Sequence, residues 1–570
     1  MCFLFLCNAI PLSAQFPLKY EQNIAPTYAE VIDMYKQLES KFPISRLVEA
    51  GQTDIGKKLH LFIISKSKIF EPSDLHENGK VVLLINNAIH SGECDGVDAS
   101  LKLAYDILSS PSAYAEILDK CNIAIIPVYN IDGYLNRSPY HRANQNGPAE
   151  QGFRANGKNI DLNRDMIKTD TENARSLTWI FHSLNPDLLI DTHVSDGADY
   201  PYIMTLIPNL HSKLHPVMQE FLDKKMLPSL YTSMKEAGVE MIPYVESRGE
   251  TPETGIEAFL DHPRYVSGYA TMFSTYAFVT ESHMLKPYRD RVIATYTFLR
   301  TVMHFAANHS EEISKTRKKA LLANKTKQNF SLQWELDTNR YDELAFKGYT
   351  AMYVTSKVTG FRRLYYDESR VWQKPIRFYN YYKAVLETSK PFSFIIPQAW
   401  TDIIEHLKMN CVQMTLLPHD TLLTVESFYI NSVKTSPAPY NGRYLHSQVQ
   451  IRSENQEIQF YKGDVLIMMD QEVNEYIMQV LDPRAPDSFF AWGFFDAVLS
   501  RKEYFSDYVF EADAEKLLHD DIQLKQQFNI KLNQDSIFRS NDFAQLNFIY
   551  EHSPWAEKSY NRYPVYRLNK

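Results

Sequence analysis

Two patterns of apolar and polar residues divide the chain. In the first half, short apolar runs recur at residues 81–85 and 123–128, and runs that begin apolar and end on a polar residue recur at 188–193 and 277–281, with helix-like segments between them. Such runs are typical of buried strands, and their alternation with helices predicts an α/β fold on a mixed, mostly parallel sheet flanked by helices. Parallel sheets collect functional groups just beyond the carboxyl ends of their strands. The residues that end these runs are therefore the first candidates for chemistry.

The second half of the chain shows a different pattern. Segments 424–430, 447–453 and 457–461 contain alternating apolar and polar positions, which predicts strands with one exposed face. The aromatic run 489–495 indicates core or interdomain packing, with an exposed stacking platform as the alternative. We therefore expect a β-rich accessory region, of one or two units, beside the α/β region of the first half.

The N-terminus has the pattern of an exported protein. Residues 1–14 form an apolar segment that ends in small residues, which is typical of a secretory signal peptide cleaved after Ala14. We therefore expect the protein in the periplasm or outside the cell. The expected parts are a signal peptide (1–14), a catalytic domain (15–310), a helical linker (311–328) and the accessory region (329–570).

Three of the apolar runs lead to a candidate metal ligand or a candidate base. His90 and Glu93 follow the first run, His193 ends the third, and Glu281 ends the fourth. An imidazole and a carboxylate three residues apart on a turn can face the same cation. A catalytic zinc site needs such ligands, with one position left open for water. Asp187 and Asp191 lie near His193, and the sequence leaves open which of them accepts a hydrogen bond from an imidazole.

The His-x-x-Glu spacing is weak evidence by itself. The chain has 17 histidines, and the same spacing recurs at His309 and Glu312. That second pair follows a helical segment (residues 291–307) rather than a strand. We therefore interpret it as a pair of solvated residues at a helix end.

Cationic residues supply the remaining part of the pattern. Asn163 and Arg164 lie in an Asp-Leu-Asn-Arg segment, with Arg137, Arg142 and Arg154 upstream. A guanidinium binds a carboxylate in a bidentate fashion and stays charged, so it suits a pocket for a free carboxyl group. A second arginine near the metal could stabilise an oxyanion.

This order of motifs over about residues 20–310 resembles the zinc carboxypeptidases of the M14 (carboxypeptidase A-like) family. The loops are similar to those of large exported members from Bacteroidetes-type bacteria. The resemblance implies that His90, Glu93 and His193 bind one zinc ion per chain. It also implies that Glu281 is the general base, acting on a zinc-activated water and later on the leaving amine.

The resemblance also implies how the substrate is held. Asn163 and Arg164 would bind the terminal carboxylate of a peptide with a free C-terminus. Arg142 is our choice for the oxyanion-stabilising arginine, with Arg137 and Arg154 as alternatives. Tyr265 is our choice for the mobile tyrosine that closes over the substrate, with Tyr269 as the other candidate. The region of Val266 is a candidate for the pocket that selects the terminal side chain.

Three functions remain open from the sequence. The first is a metallocarboxypeptidase that hydrolyses C-terminal peptide bonds. The second is a zinc amidohydrolase that acts on cell-wall (murein) peptides or acyl-amino acids, because such enzymes use similar motifs. The third is a non-catalytic binding scaffold, which the intact Glu281 argues against.

Composition limits the partners. A formal net charge of −9 and the absence of a basic stripe argue against nucleic acid. No segment after residue 14 is long and apolar enough to span a bilayer. Cys94, Cys121 and Cys411 lie too far apart in sequence to indicate a disulfide framework, and we interpret Cys94 as a small buried filler.

Overall fold

A computed structural model describes residues 17–569 of the chain. The expected signal peptide, residues 1–14, lies outside the described residues, and export stays a prediction. Among the residues described, no helix has the length and apolar character needed to cross a membrane.

The first half forms an α/β unit. Its strands are β1 (Ser45–Gln52), β2 (Lys58–Ile64), β3 (Val81–Asn87), β4 (Cys121–Ile126), β5 (Arg137–Ser138), β6 (Gln151–Gly152), β7 (Leu188–Ser195), β8 (Met204–Pro208), β9 (Met241–Pro243), β10 (Glu246–Ser247), β11 (Ile256–Glu257) and β12 (Tyr276–His283). Its helices are α1 (Tyr28–Lys41), α2 (Asp95–Ser109), α3 (Ala115–Lys120), α4 (Ile131–Leu135), α5 (Glu172–Leu184), α6 (Pro216–Phe221), α7 (Leu227–Glu236), α8 (Val266–Met272), α9 (Tyr288–Asn308) and α10 (Ser310–Thr326).

Eight of these strands form one sheet in the order β1-β2-β4-β3-β7-β12-β8-β9. Parallel pairing runs through its centre, from β4 through β3 and β7 to β12. Strands β3 and β7 are buried at every position, as their apolar runs predict for central strands with both faces covered. This confirms the expected mixed α/β fold and brings the carboxyl ends of β3, β7 and β12 to the same edge.

The second half is rich in strands, as expected. It contains β13 (Asn329–Leu336), β14 (Asp342–Thr355), β15 (Arg362–Tyr379), β16 (Tyr382–Ser389), β17 (Ser393–Ile396), α11 (Thr401–Met409), β18 (Thr415–Leu416), β19 (Thr421–Thr435), β20 (His446–Phe460), β21 (Val465–Met468), α12 (Asn474–Leu481), α13 (Asp507–Asp520), α14 (Ile522–Gln534), α15 (Ser536–Arg539), α16 (Asp542–Glu551) and β22 (Tyr566–Leu568). The sequence patterns did not predict the helices α13 to α16, of which α13, α14 and α16 form a small apolar core of their own.

Strand pairing connects the two halves in addition to the covalent chain. Strand β15 pairs in parallel with β11, so the long β14–β15 hairpin extends a loop of the first half. A six-stranded sheet, β18-β21-β17-β22-β19-β20, is the largest sheet among the described residues of the second half. The aromatic run 489–495 is buried, with Phe489, Phe490, Trp492 and Phe495 at 0% exposure, which confirms core packing. The division of the chain at residues 311–328 stays a prediction.

Candidate metal centre

The strand pairing explains why His90, Glu93 and His193 meet. His90 and Glu93 lie on the turn between β3 and α2, while His193 lies near the end of β7. Strands β3 and β7 are adjacent and parallel, with Asn87 opposite Thr192. The turn that follows β3 is therefore beside His193.

The three side chains converge on one point. Nδ1 of His90 lies 3.1 Å from Oε1 of Glu93, and Nδ1 of His193 lies 3.0 Å from Oε2. One ligand atom from each residue can be chosen so that all lie within 4.8 Å of one another, and all three residues are buried. In the part of the chain that the structure describes, no other group of His, Cys, Asp and Glu has this geometry. Two imidazole nitrogens and a carboxylate oxygen are a donor set that fits zinc.

Charge favours the ligand form of Glu93. Burial alone would raise the pKa of this carboxyl group. His90, Arg142 and a hydrogen bond from His193 hold the pKa well below its usual range instead. The group is therefore a carboxylate at neutral pH, as a metal ligand must be.

Each imidazole is oriented by a second carboxylate. Nε2 of His193 lies 2.7 Å from Oδ2 of Asp191, and Nε2 of His90 lies 3.0 Å from Oδ1 of Asp161. With the Nε2 atoms donating to these acids, the Nδ1 atoms face the shared point, where a metal ion would replace the protons that they donate to Glu93. Between the two acids left open by the sequence, Asp191 contacts the imidazole. Asp187 instead accepts hydrogen bonds from Arg317 and from the backbone of β3.

Asp161 is a residue that sequence reasoning did not single out. It lies 71 positions from His90, and the only available signal is its place at the start of the Asp-Leu-Asn-Arg segment. Its second oxygen accepts from Nε of Arg154 at 2.9 Å. Burial would raise the pKa of Asp161, but His90 and Arg154 hold it well below the usual range.

Glu281 lies directly opposite His193 in the pairing of β12 with β7. Burial raises the pKa of Glu281 to about 8, with His193 lowering it and Glu93 raising it further. A cation in the same pocket would favour the carboxylate form. Glu281 is therefore placed beside the candidate metal centre without belonging to the three converging ligands.

All eight predicted site residues line one cavity of about 410 Å³. They are His90, Glu93, Arg142, Asn163, Arg164, His193, Tyr265 and Glu281. Tyr269, the other tyrosine candidate, is buried away from the cavity and donates to Asn410. The geometry therefore favours Tyr265 as the tyrosine near the substrate.

The three candidate arginines differ in position. Nη1 of Arg142 lies 3.0 Å from Oε1 of Glu93, and Nη1 of Arg154 lies 3.8 Å from the same atom. Both arginines line the cavity. Arg137 donates instead to the backbone oxygens of Ala25 and Pro26. Arg142 and Arg154 thus lie on the cavity wall together with Arg164, and Arg137 stabilises the N-terminal segment.

Asn163 and Arg164 lie on a single short turn, residues Leu162–Arg164. The carboxylate of Asp161 caps this turn by accepting from the backbone N–H of Asn163 at 3.0 Å. Nη1 of Arg164 donates to the backbone oxygen of Asn163 at 2.8 Å, and the guanidinium lies 4.6 Å from the ring centre of Tyr265. The arginine is thus held between its own turn and an aromatic ring, at the edge of the cavity.

Comparison with known proteins agrees with this geometry. Residues 31–187 match the zinc carboxypeptidase family, peptidase M14. Carboxypeptidase 2 of Trichophyton tonsurans is 21% identical over 469 residues, which cover 78% of this chain and 79% of that protein. Carboxypeptidase 2 of Trichophyton rubrum is 20% identical over 469 residues, which again cover 78% of this chain and 79% of that protein.

Solved structures to which the chain is similar include a metallo-carboxypeptidase from Pseudomonas aeruginosa in complex with (2-guanidinoethylmercapto)succinic acid. It has a TM-score of 0.38 and 13% identity, over 51% of this chain and 70% of that one. Carboxypeptidase A from Helicoverpa armigera has a TM-score of 0.38 and 15% identity, over 51% of this chain and 75% of that one. The similarity to Bacteroidetes-type members stays a prediction. Residues 31–187 thus match the zinc carboxypeptidase domain of peptidase M14, and the converging ligands His90, Glu93 and His193 fit the zinc that this family uses.

Proposed function

We propose that this protein is a zinc metallocarboxypeptidase that releases the C-terminal residue of a peptide. The observation that carries the proposal is the single cavity in which the three converging ligands, the half-buried Glu281 and the turn of Asn163 and Arg164 meet. Each part has a task in the hydrolysis of a terminal peptide bond.

Glu281 is the proposed general base. When bound, zinc lowers the pKa of a water molecule and polarises the scissile carbonyl group. Glu281 then accepts the proton of the attacking water and passes it to the nitrogen of the leaving amino acid. Its place directly opposite His193 brings its carboxylate to the wall of the same cavity as the three ligands.

Asn163 and Arg164 are the proposed clamp for the terminal carboxylate. A guanidinium on the cavity wall would bind the two carboxylate oxygens and thereby fix which peptide bond reaches the metal. Positioning of this kind can lower a barrier by several kcal/mol. Tyr265, which lies over the Arg164 guanidinium, would then cover the bound chain end.

Arg142 is the proposed oxyanion-stabilising residue, with Arg154 beside it on the same wall. We expect Arg142→Ala and Arg154→Ala each to lower kcat, by about 100-fold for the residue that faces the oxyanion. Arg137→Ala is the matched control, because Arg137 contacts the N-terminal segment, and its kcat should be unchanged even if Tm falls. An unchanged kcat in both Arg142→Ala and Arg154→Ala would show that neither arginine stabilises the oxyanion.

The cavity also indicates a substrate preference. Part of its wall is apolar or aromatic, formed by Ile207, Tyr244, Phe259, Val266 and Val279. Asp196, which could pair with a basic side chain, is exposed. We therefore propose that the enzyme prefers apolar or aromatic C-terminal residues.

A substrate panel tests the proposal. Blocked dipeptides ending in Phe, Leu, Arg or Glu, murein peptides and acyl-amino acids would be incubated with native protein, with Glu281→Gln and with a chelator. We expect release of terminal Phe or Leu, loss of activity with the chelator, and a kcat roughly 10²- to 10⁴-fold lower in Glu281→Gln with zinc retained. Cleavage of only murein or acyl bonds would instead support the amidohydrolase. No turnover by zinc-loaded protein would support the scaffold.

A further inference from the structure

A loop of the second half lies directly on the proposed clamp. It is the β19–β20 hairpin loop, residues 436–445, and it contacts the turn that carries Asn163 and Arg164. The backbone N–H of Asp161 donates to Oδ1 of Asn441 at 2.8 Å, and Nδ2 of Asn441 donates to the backbone oxygen of Asp161 at 3.1 Å. One side chain therefore satisfies both backbone polar groups of Asp161, as an adjacent strand would.

The neighbouring residue, Tyr440, holds the arginine itself. Nε of Arg164 donates to the Tyr440 hydroxyl at 2.9 Å. The Tyr440 ring stacks on Trp492, with ring centres 6.1 Å apart and planes at 19°. With Nη1 fixed by Asn163 and the guanidinium against Tyr265, few orientations remain open to the arginine. A fixed guanidinium loses little conformational entropy when it binds a carboxylate.

The β19–β20 loop is itself held firmly against the first half. Arg443 makes a bidentate contact with Asp170, with Nε–Oδ2 at 2.7 Å and Nη2–Oδ1 at 2.5 Å. Gly442 has a φ of +88°, and a Cβ there would lie 2.9 Å from Cδ1 of Ile160. Only glycine allows both this backbone conformation and this approach, so the close contact with the segment before Asp161 depends on it.

Asp161 connects the loop to the metal centre. Its backbone is held by Asn441, while its carboxylate binds His90, Arg154 and the backbone N–H of Asn163. A shift of Asp161 would therefore move a metal ligand and the clamp together. The β19–β20 loop thus contacts Asp161 through Asn441 and Arg164 through Tyr440.

We propose that Tyr440 and Asn441 are positioning residues, through which the second half of the chain completes the substrate site. Tyr440 orients Arg164 toward the terminal carboxylate, and Asn441 fixes Asp161 and thereby His90. This inference rests on the proposed carboxypeptidase function for its kinetic readout.

Tyr440→Phe tests the first role, since it removes one hydroxyl and retains the ring that stacks on Trp492. We expect KM for a blocked dipeptide with a free carboxylate to rise about tenfold, as the loss of a hydrogen bond to a charged group predicts. We expect kcat and zinc content to stay unchanged. Tyr444→Phe is the matched control, because Tyr444 lies in the same loop and is exposed. A KM for Tyr440→Phe equal to that of the control would overturn the role of Tyr440.

Asn441→Gly tests the second role. Asn441 has a φ of +51°, which glycine adopts without strain, so the variant removes the side chain and preserves the turn. We expect the zinc dissociation constant to rise about tenfold, as for residues that orient metal ligands. Asn441→Asp, which retains the acceptor for the Asp161 N–H, should show a smaller rise. Zinc affinity unchanged in Asn441→Gly, with or without a lower Tm, would overturn the role of Asn441.

Failure of this inference can be told apart from failure of the proposed function. Binding of N-acetyl-phenylalanine to zinc-loaded protein, measured by calorimetry, reports on the clamp without turnover. If the native protein binds this ligand but shows no turnover, the proposed function is refuted. Weaker binding by Tyr440→Phe than by native protein would still support the positioning role. If the native protein turns over substrate, and Tyr440→Phe has the KM and the binding affinity of native protein, the proposed function is supported and the positioning role is refuted.

Discussion

The chain contains two His-x-x-Glu pairs, and both fold into the same local contact. Nδ1 of His90 lies 3.1 Å from the Glu93 carboxylate, and Nδ1 of His309 lies 2.8 Å from that of Glu312. A spacing of three residues on a turn or at a helix start brings such side chains together in either place. Local sequence therefore produces the pair, but it does not produce a metal centre.

Burial and neighbouring elements separate the two pairs. The side chains of His90 and Glu93 are 5% and 2% exposed, against 25% and 47% for His309 and Glu312. The first pair follows a central strand and meets His193 on the adjacent strand. The second lies where α9 meets α10, and the amine of Lys225 at 2.6 Å already neutralises its carboxylate. Of the two pairs, only the first offers a divalent ion a third ligand and buried ligand side chains.

Replacing the histidine of each pair in turn should give the largest difference between the pairs, in the zinc content of the protein. We expect His90→Ala to lose the one zinc ion per chain, because two protein ligands remain where a catalytic zinc site needs three. His309→Ala should retain it. Elemental analysis after gel filtration measures both variants, and equal zinc content in the two would contradict the assignment.

The carboxylates behind the imidazoles give the next largest effect. Asp191→Asn should weaken zinc binding about 10- to 100-fold, because Asp191 orients His193. Asp187→Asn is the matched control: it breaks the buried contact with Arg317 and should lower the free energy of unfolding by about 3 kcal/mol. Competition with a zinc dye and chemical denaturation separate the two outcomes. Equal zinc affinity in the two variants would count against the role of Asp191.

The number of protons released on zinc binding tests whether the ion binds beside Glu281, at the first pair. Its pKa of about 8 without the ion means that it is mainly protonated at pH 7, and zinc favours the carboxylate. Zinc binding at pH 7 should therefore release about one proton fewer in Glu281→Gln than in native protein. The difference should vanish above pH 9, where Glu281 is already ionised. Calorimetry in buffers of different ionisation enthalpy measures it, and a difference that grows with pH would refute the assignment.

The smallest effect belongs to the exposed pair. Glu312→Gln should change the free energy of unfolding by about 0.5 kcal/mol or less, because exposed ion pairs contribute little. Zinc content and kcat should stay the same. A drop in zinc affinity in this variant would show that the second pair contributes to metal binding after all.

The parts of the site that could be predicted are those that strands position. Apolar runs located β3, β7 and β12, and the parallel sheet then placed His90, His193 and Glu281 at one edge. The same rule correctly set aside the pair that follows a helix. Glu93 needed only its spacing from His90.

The parts that could not be predicted depend on the paths of loops. The contact of Asp161 with His90 and that of Asn441 with Asp161 bridge 71 and 280 positions without any periodic signal. The choice between Tyr265 and Tyr269 depends on where α8 begins, since Val266 starts the helix and directs Tyr269 into the core. Likewise, whether an upstream arginine reaches the cavity depends on the course of the connection between β5 and β6.

The most direct measurement is a crystal structure of the zinc-loaded protein, with anomalous differences recorded at the zinc absorption edge. We predict one strong peak, about 2.0–2.2 Å from Nδ1 of His90, Nδ1 of His193 and a carboxylate oxygen of Glu93. A peak between His309 and Glu312, or one on the Nε2 side of either imidazole, would contradict the proposed centre.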